Sequence, residues 1–560
     1  MERSKSANPQ SLLDASWLRW TTIAFFFVLW AIISYRYPVY FQRDDAGMLL
    51  WSQQHSYLDC FTPTKEAALL HDNMYRPFRE LAFVVQYRLF GLNSRLYHFT
   101  LGVLFILSMA FLFKLVTAIR DRSSAYLTIL VWLGAINFLL TTLFWFSDSA
   151  LLIEMLLACA GLYCFVIGFR KSSIGKQILG SLLMIGAFLS HEPSVVILPP
   201  AISVFIACEA HSRAWGWKRS VVYSLLPLLA IPLYFLVFPF ATQRHDAMNT
   251  PIAIIMRGAI ERFTFYSKFL ASGASGLILV TPTSYYLVSK GLRAKLFPGL
   301  GFLAVFSIAV IITLAVISAH LYVLGAFIIL LAGILLPGSC RLLAPWAIIP
   351  LFGLCFFEAM FRNYLFEISF ALSASAAIAM SILLRDLTLW WKEHIKKPII
   401  TYAVVAFALL AVVGAGSIKA KKQAALLKLR SDVTMSLESI TSHIKRLPAN
   451  SALVVVDYES MGWKWEDVSR LPDAQKIRTQ GAMLPSHHAV EWTQVIGRND
   501  IHVVALSEYR SHPIRYRSGS RVFLWLMTAK DHEYIAGLKL PSRRYASVRR
   551  GQARMDLLEL

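Results

Sequence analysis

The sequence predicts an all-α polytopic membrane protein that ends in a small, water-facing α/β domain. Hydrophobic residues make up 57% of its 560 residues and charged residues only 16%, whereas soluble domains usually carry about 25% charged residues. A soluble core stops growing at about 250–300 residues, so an apolar excess of this size needs a lipid bilayer as its solvent. The composition changes after Gly416, because residues 418–560 hold 37 of the charged residues and the preceding 417 residues hold 51.

Thirteen apolar runs are candidates for transmembrane helices. A bilayer core needs about 20 mostly apolar residues per helix. The predicted spans are 18–36, 96–119, 124–145, 149–169, 177–190, 194–209, 221–240, 268–288, 296–318, 320–337, 343–360, 364–384 and 398–416. The fifth and sixth are short and meet at His191-Glu192-Pro193, so one interrupted hairpin is an alternative for them.

The charges between the spans predict the orientation in the membrane. Cytoplasmic loops carry an excess of Lys and Arg. With the N-terminus in the cytoplasm, the predicted inner loops hold clusters of Lys and Arg. The short outer turns near 146, 191, 319 and 361 together contain a single Lys or Arg, which is Arg362. The first run lacks a small-residue cleavage site and is interpreted as a retained anchor. We therefore expect a multi-pass protein of the inner (cytoplasmic) membrane, with the loop 37–95 and the C-terminal tail outside the cytoplasm.

Two domains are predicted, a transmembrane domain over residues 1–417 and a soluble extracytoplasmic domain over residues 418–560. The second opens with a helical stretch from Ala424 to Lys445. Runs rich in β-branched or apolar residues follow at Ser451–Tyr458, Ile501–Ser507 and Arg521–Met527, and they predict strands. His487-His488 in this tail lacks partners at ligand spacing and is interpreted as structural.

The net charge of +22 suggests a nucleic-acid binder at first sight. Much of the Lys and Arg, however, lies in short clusters between apolar runs, where it sets topology. Nucleic acid is therefore not an expected partner. Five of the six cysteines lie in or beside apolar runs, where cysteine packs as a small hydrophobe, so no disulfide framework is expected.

The first outer loop, residues 37–95, holds the most informative polar cluster. It contains Asp44-Asp45, then Tyr75-Arg76-Pro77, then Gly91-Leu92-Asn93, with Tyr97-His98 at the start of the second span. Burial and a neighbouring like charge raise the pKa of a carboxylate toward the range in which it works as a base. An acidic pair at the membrane surface therefore suggests a base or a metal ligand. A solvated acidic turn paired with Arg43 is the alternative.

These motifs, in this order and spacing, resemble the GT-C glycosyltransferases. The acidic pair, the Tyr-Arg-Pro element and the Gly-Leu-Asn-x-x-x-Tyr-His run are similar to the protein O-mannosyltransferase-like branch, which includes bacterial lipid A aminoarabinose transferases. The resemblance covers residues 20–210. In the rest of the chain, only the number of predicted spans and the position of the C-terminal tail are similar to the family. It implies a GT-C-like membrane domain, a donor sugar carried on a polyprenyl phosphate, and transfer on the outer face of the membrane.

The resemblance also implies catalytic roles for acids. A first-loop acid is the base that deprotonates the acceptor hydroxyl or amine in such enzymes, and Asp44 matches the first acid of the pair. Asp45 either positions the acceptor or is itself the base. A second acid is expected in the outer turn before the fourth span, where Asp148 stands, although a helix N-cap is equally consistent with that position. Glu154, within the fourth span, is expected to be a structural partner of another polar group.

Donor-binding candidates lie in two outer turns and in the first loop. Arg362 and Tyr364 resemble an Arg-x-Tyr element of the family, and an arginine gives a planar, multi-donor contact to phosphate oxygens. A snorkelling interfacial arginine is the alternative. Arg76 and Arg79 of the first loop are further candidates for the phosphate.

His191 and Glu192 are predicted to bind the donor phosphate or to orient the acceptor. A Pro-marked turn with solvated polar residues explains them as well. One histidine and one carboxylate are too few ligands for a metal site, and convergence of His191 with Asp44 and Asp45 is the alternative. The sequence therefore predicts no metal ligands and leaves open whether a divalent cofactor takes part.

Two other functions remain open on sequence alone. A transporter or flippase of lipid-linked saccharides would keep polar binding residues near the bilayer midplane and often shows repeated halves. A polymerase or ligase of surface glycans would place its main site in a large late loop. The polar clusters here lie at the outer ends of spans, no repeat is visible and the long loop is early, so a membrane glycosyltransferase is favoured. The sugar and the acceptor, whether protein, lipid or glycan, are not specified.

Overall fold

The computed structural model describes residues 16–42, 44–62, 75–134, 146–191, 193–237, 334–354, 365–394, 424–456, 486–512 and 520–560, with positions 259, 262–264, 267 and 461. These residues are mostly helical and form one five-stranded sheet near the C-terminal end.

The N-terminal part contains helices and short 3-10 turns. Its helices, numbered among the described residues, are α1 (Ser16–Arg36), α2 (Asp45–Gln54), α3 (Pro77–Phe90), α4 (Ser94–Ile119), α5 (Arg122–Gly134), α6 (Ser149–Arg170), α7 (Ile174–Phe188), α8 (Pro193–Ser212), α9 (Trp217–Leu225), α10 (Ala230–Val237), α11 (Leu343–Leu354) and α12 (Leu365–His394).

Five stretches of these helices are long and apolar enough to cross a membrane by length and composition. They are Ser94–Ile119, Ser149–Arg170, Pro193–Ser212, Trp217–Val237 and Ile368–Asp386. The predicted spans at 268–288, 296–318 and 398–416 lie outside the described residues, so the count of thirteen stays a prediction. The predicted fifth and sixth spans form two separate helices, since α7 ends at Phe188 and α8 begins at Pro193. Proline suits the first turn of a helix, where its missing N–H costs nothing.

Turns that the charge pattern assigns to the same side of the membrane meet in space. At one end, Arg170 at the end of α6 donates to Glu209 of α8 (2.6 Å) and to the Ser339 hydroxyl (2.7 Å). Arg170 also donates to the Ala118 carbonyl near the end of α4. All four residues lie in or beside predicted inner loops. At the other end, the first outer loop contacts the turn before α6 and the turn after α7, which leaves the candidate site at the predicted outer end.

The C-terminal part is a mixed α/β unit. A helix over residues 424–444, here α13, is followed by β1 (Ala452–Val455), α14 (Ser486–Val495), β2 (His502–Ala505), α15 (Leu506–Ser511), β3 (Val522–Leu526), α16 (Ala529–Leu538), β4 (Arg543–Arg550) and β5 (Ala553–Glu559). The strand order is β2-β1-β3-β5-β4. β1 pairs in parallel with β2 and β3, and β5 pairs antiparallel with β3 and β4.

Both faces of this sheet are covered. Alternate strand residues face opposite sides of a sheet, and Leu453, Phe523 and Trp525 on one face belong to the apolar cluster that also contains the core of the membrane helices. Val454 and Leu524 on the other face belong to a separate cluster under α15 and α16. The C-terminal unit is therefore joined to the helical part through one continuous apolar core.

Candidate active site

Aromatic packing fixes the segment that precedes the acidic pair. Phe41 is fully buried and makes edge-to-face contacts with Tyr97 of α4 (ring centroids 5.0 Å apart) and with Phe146 (5.3 Å). Tyr40 packs in the same way against Trp492 of α14, at 5.6 Å. Such pairs contribute about 0.5–1.5 kcal/mol beyond their area burial. The acids that follow are therefore held against both α4 and the C-terminal unit.

Asp45 begins α2, and its carboxylate is fully buried. Its Oδ1 accepts hydrogen bonds from the Ser147 backbone N–H (2.8 Å) and the Ser147 hydroxyl (2.6 Å), and its Oδ2 accepts one from the Gln42 N–H (2.9 Å). Burial raises the pKa of Asp45 to about 7, although the hydrogen bonds from Ser147 and Gln42 oppose the shift. A carboxyl group with a pKa near neutrality is suited to acid–base chemistry.

The bonds from Ser147 bring the first outer loop to the turn before α6. This 3-10 turn, Phe146–Asp148, carries Asp148 directly after Ser147. The backbone of Asp148 therefore lies beside the buried carboxylate of Asp45, while its side chain lies outside the described part of the chain. Acids from two separate loops thus belong to one region of the protein. Ser147 was not among the predicted site residues, although it stands in the same Phe-Ser-Asp-Ser run.

Asp44 differs from its neighbour because 56% of its side chain is exposed. Its Oδ1 lies 3.5 Å from Nε2 of His488 in α14, and Nδ1 of the same imidazole lies 3.2 Å from Oε2 of Glu491. His488 therefore has a carboxylate near each ring nitrogen, and its assignment to structure stays a prediction. No local pattern predicts the contact with Asp44, because Asp44 and His488 meet only when the C-terminal unit packs on the first outer loop.

Arg76 and Arg79 lie at the start of α3, and both are largely buried. The Phe78 N–H in this first turn donates to the Leu189 carbonyl just after α7 (3.2 Å). This bond brings the start of α3 to the turn that carries His191. The two arginines are therefore inside the protein at the predicted outer end, and neither is a solvated loop residue.

His191 and Glu154 form a buried pair. His191 Nδ1 lies 2.9 Å from Glu154 Oε2, and the Ser194 hydroxyl donates to Glu154 Oε1. Glu154 is thus the partner of other polar groups, as expected for a carboxylate inside a span, because an unpaired charge in an apolar interior is costly. The pair joins α6 to the turn between α7 and α8.

Three predicted site residues, Glu192, Arg362 and Tyr364, lie outside the described residues. Within the described ranges, no group of three or more His, Cys, Asp or Glu residues is arranged to hold a metal ion.

No protein-family model and no curated protein matches this sequence. Among solved structures, the fold is similar to ArnT from Cupriavidus metallidurans bound to undecaprenyl phosphate, with 15% identity, a TM-score of 0.46 and coverage of 97% of this chain and 98% of that chain. The same protein in its apo state gives 14% identity, a TM-score of 0.44 and the same coverage, 97% and 98%.

The apo oligosaccharyltransferase of Archaeoglobus fulgidus is also similar, with 13% identity, a TM-score of 0.44 and coverage of 91% of this chain and 70% of that chain. ArnT and this oligosaccharyltransferase are GT-C glycosyltransferases.

Proposed function

We propose that the protein is an inverting glycosyltransferase that moves a sugar from a polyprenyl-phosphate carrier to an acceptor on the outer face of the cytoplasmic membrane. The observation that carries the proposal is the pair of hydrogen bonds from Ser147 to Asp45. These bonds join the segment of Asp44 and Asp45 to the turn that carries Asp148. The side chain of Asp44 remains exposed next to them. The composition and the apolar helices support a multi-pass membrane protein.

Asp44 is the proposed base. Its exposed carboxylate is accessible to an acceptor, whereas both oxygens of Asp45 already accept hydrogen bonds. Asp44 takes the proton from the acceptor hydroxyl or amine while the acceptor attacks the anomeric carbon on the face opposite the phosphate. The bond from that carbon to the phosphate oxygen breaks, the polyprenyl phosphate leaves, and the configuration inverts.

Asp45 and Asp148 are proposed to support this base. Asp45 holds the start of α2 against the turn of Asp148, so that Asp44 is presented in one position. The backbone of Asp148 lies beside the Asp45 carboxylate, and Asp148 is proposed to orient the acceptor. His191 and Glu192 are proposed to contribute to substrate binding from the next outer turn.

The donor phosphate is assigned to arginines. Arg362 is the first candidate, with Tyr364 beside it, and Arg76 and Arg79 are the next. A guanidinium forms several charge-assisted hydrogen bonds with phosphate oxygens and neutralises the charge that develops on the leaving group. The extracytoplasmic placement of residues 418–560 follows from the same orientation of the membrane domain, residues 1–417.

A transfer assay tests the proposal. Purified full-length protein is mixed with undecaprenyl phosphate carrying a labelled hexose or pentose and with bacterial envelope lipids and proteins as acceptors. We expect label on an acceptor together with free undecaprenyl phosphate. Movement of the intact lipid-linked sugar across a vesicle bilayer, with its phosphate bond unbroken, would instead identify a flippase. Growth of a glycan chain would identify a polymerase or ligase.

The donor site is tested by replacing Arg362. A hydrogen bond to a charged group contributes roughly 1.5–3 kcal/mol, so Arg362→Ala should raise the apparent KM for the donor by about 10- to 100-fold. Arg362→Lys should restore only part of the loss, because an ammonium cannot reproduce the planar contact. Arg385→Ala, at the opposite end of a predicted span, serves as the control. Normal donor use by Arg362→Ala would assign the phosphate to Arg76 or Arg79.

A further inference from the structure

The C-terminal unit packs directly on the first outer loop. The Gln53 side chain at the end of α2 donates to the Val495 carbonyl at the end of α14 (2.9 Å), and the Ser431 hydroxyl of α13 donates to the Pro38 carbonyl (2.6 Å). A Cβ placed on Gly47 would lie 3.0 Å from a carboxylate oxygen of Glu491. The small size of Gly47 leaves room for the Glu491 carboxylate where α14 lies against α2.

This packing is anchored by Trp492. Its ring is fully buried between the C-terminal unit and the first loop, with Tyr40 on one side, and its Nε1–H donates to the Thr441 hydroxyl of α13 (3.1 Å). A buried tryptophan with a satisfied N–H is a strong and orienting contact. The position of His488, one helical turn before Trp492, is therefore fixed relative to Asp44.

His488 lies between two carboxylates, one on each ring nitrogen. Glu491, three residues later in the same helix, faces Nδ1, and Asp44 faces Nε2 across the interface. A partner on one ring nitrogen fixes the orientation of the imidazole and determines which nitrogen carries a proton. With Glu491 on Nδ1, the ring plane and the direction of Nε2 are set by the C-terminal unit before any substrate arrives.

We propose that His488 is a positioning residue for Asp44, so that the C-terminal unit completes the active site. The imidazole directs Nε2 at Asp44 Oδ1 and holds the carboxylate in one rotamer, which leaves Oδ2 to accept the proton of the acceptor. Contacts of this kind are often long before substrate binds and shorten in the substrate complex. This role rests on the proposed function of Asp44 as the base.

Two substitutions of His488 separate positioning from packing. Glutamine places an amide N–H where Nε2 stands, whereas phenylalanine keeps the ring and removes the donor. His488→Gln should keep kcat within about threefold of the wild type, and His488→Phe should lower kcat by about 10- to 100-fold with little change in the KM for the donor. The probe is the labelled undecaprenyl-phosphate sugar used above. The exposed tail residue His512, changed to glutamine, is the control.

A role in packing alone gives the opposite order, because phenylalanine preserves the ring contacts better than glutamine. Equal activity of the two variants, or higher activity of His488→Phe, overturns the proposal. In an Asp44→Asn background, His488→Phe should add no further loss, since His488 acts through Asp44. An independent additional loss also overturns it. A wild-type protein without transfer would overturn the proposed function and this role together, whereas an active wild type that is insensitive to His488→Phe overturns only this role.

Discussion

Folding favours the protonated form of the Asp45 carboxyl group. Its pKa in the folded protein is about 7, compared with 3.8 for an ordinary aspartate, because the group is buried. The unfolded chain therefore releases this proton near pH 4, while the folded protein keeps it up to about pH 7. The stability that the protonated form contributes is complete below pH 4 and is lost as the pH rises to about 7.

We accordingly expect wild-type stability to fall between pH 4 and pH 7, with other titrating groups superimposed. One pKa unit corresponds to about 1.4 kcal/mol, so Asp45 accounts for roughly 4 kcal/mol at most. Asp45→Asn should flatten this part of the profile, measured as the thermal midpoint of the detergent-solubilised protein at several pH values.

The exposed carboxylate of Asp59 provides a matched control in the same loop. It accepts a hydrogen bond from the Ser56 N–H (2.6 Å), which lowers its pKa. Asp59→Asn should therefore leave the decline between pH 4 and pH 7 in place. An Asp45→Asn profile as steep as that of the wild type would show that this carboxyl is not the group that titrates.

At the scale of single residues, the sequence predicted the acids but not their environments. Asp44 and Asp45 are neighbours with identical chemistry, yet one is exposed and the other is buried under Ser147. This difference depends on how α2 packs against the turn before α6, which no local pattern encodes. His488 could not be predicted for the same reason, because its partner Asp44 lies far from it in the sequence.

At the scale of elements, α6 and α7 pack backbone against backbone through glycines. A Cβ on Gly180 would lie 2.7 Å from the Phe165 nitrogen and 2.8 Å from the Gly161 carbonyl oxygen, and a Cβ on Gly161 would lie 2.9 Å from the Gly180 carbonyl oxygen. Small residues allow such close approach between helices in membranes. This contact holds α6, which carries Glu154, against α7, which leads to His191.

Gly180→Ala should therefore destabilise the protein, because backbone atoms cannot move aside as a flexible side chain can. Overpacking typically costs about 1–3 kcal/mol. Gly175→Ala in the same helix is the control, since a Cβ there meets nothing within 4 Å and alanine favours helix by about 1 kcal/mol over glycine. Thermal midpoints of the two variants should move in opposite directions. A Gly180→Ala protein as stable as the wild type would contradict the packing.

The sequence predicted the elements of the C-terminal unit only in part. The helix over residues 424–444 and the strands β1, β2 and β3 lie within the predicted runs, because these segments have clear apolar or β-branched patterns. The β4–β5 hairpin was missed. β4 is an edge strand with four arginines and mostly exposed side chains, and charge on an edge strand guards against unwanted pairing while it hides the strand pattern.

In the molecule as a whole, loops that are predicted to lie on the same side of the membrane are neighbours in the structure. Arg170, Glu209 and Ser339 meet at one end, and Asp45 and Ser147 meet at the other. Charge asymmetry in short loops therefore predicted which turns are neighbours. It did not predict that the C-terminal unit would contact the first loop, because that docking depends on tertiary contacts such as the packing of Trp492 against Tyr40.

The orientation is tested by reporter fusions. Fusions at residues 172, 216, 293 and 390 should report the cytoplasm, and a fusion at residue 450 should report the outer side, because Lys and Arg accumulate in the loops predicted to be inside. The fusions at 172 and 216 serve as internal controls for each other, since both lie near the Arg170 contact. A cytoplasmic report at 450 would place Asp44 on the side opposite to the proposed reaction.

Asp44 is the residue on which the proposed lipid-linked sugar transfer depends most, as its base. Asp44→Asn keeps the shape of the side chain and removes its ability to accept a proton. Turnover from labelled undecaprenyl-phosphate sugar should fall by roughly 10²–10⁴-fold, the usual contribution of general-base catalysis, while donor binding persists. Asp45→Asn, measured in the same membrane preparation, should cost less. An active Asp44→Asn enzyme beside an inactive Asp45→Asn enzyme would reverse the two roles, and full activity in both would remove the first outer loop from the chemistry.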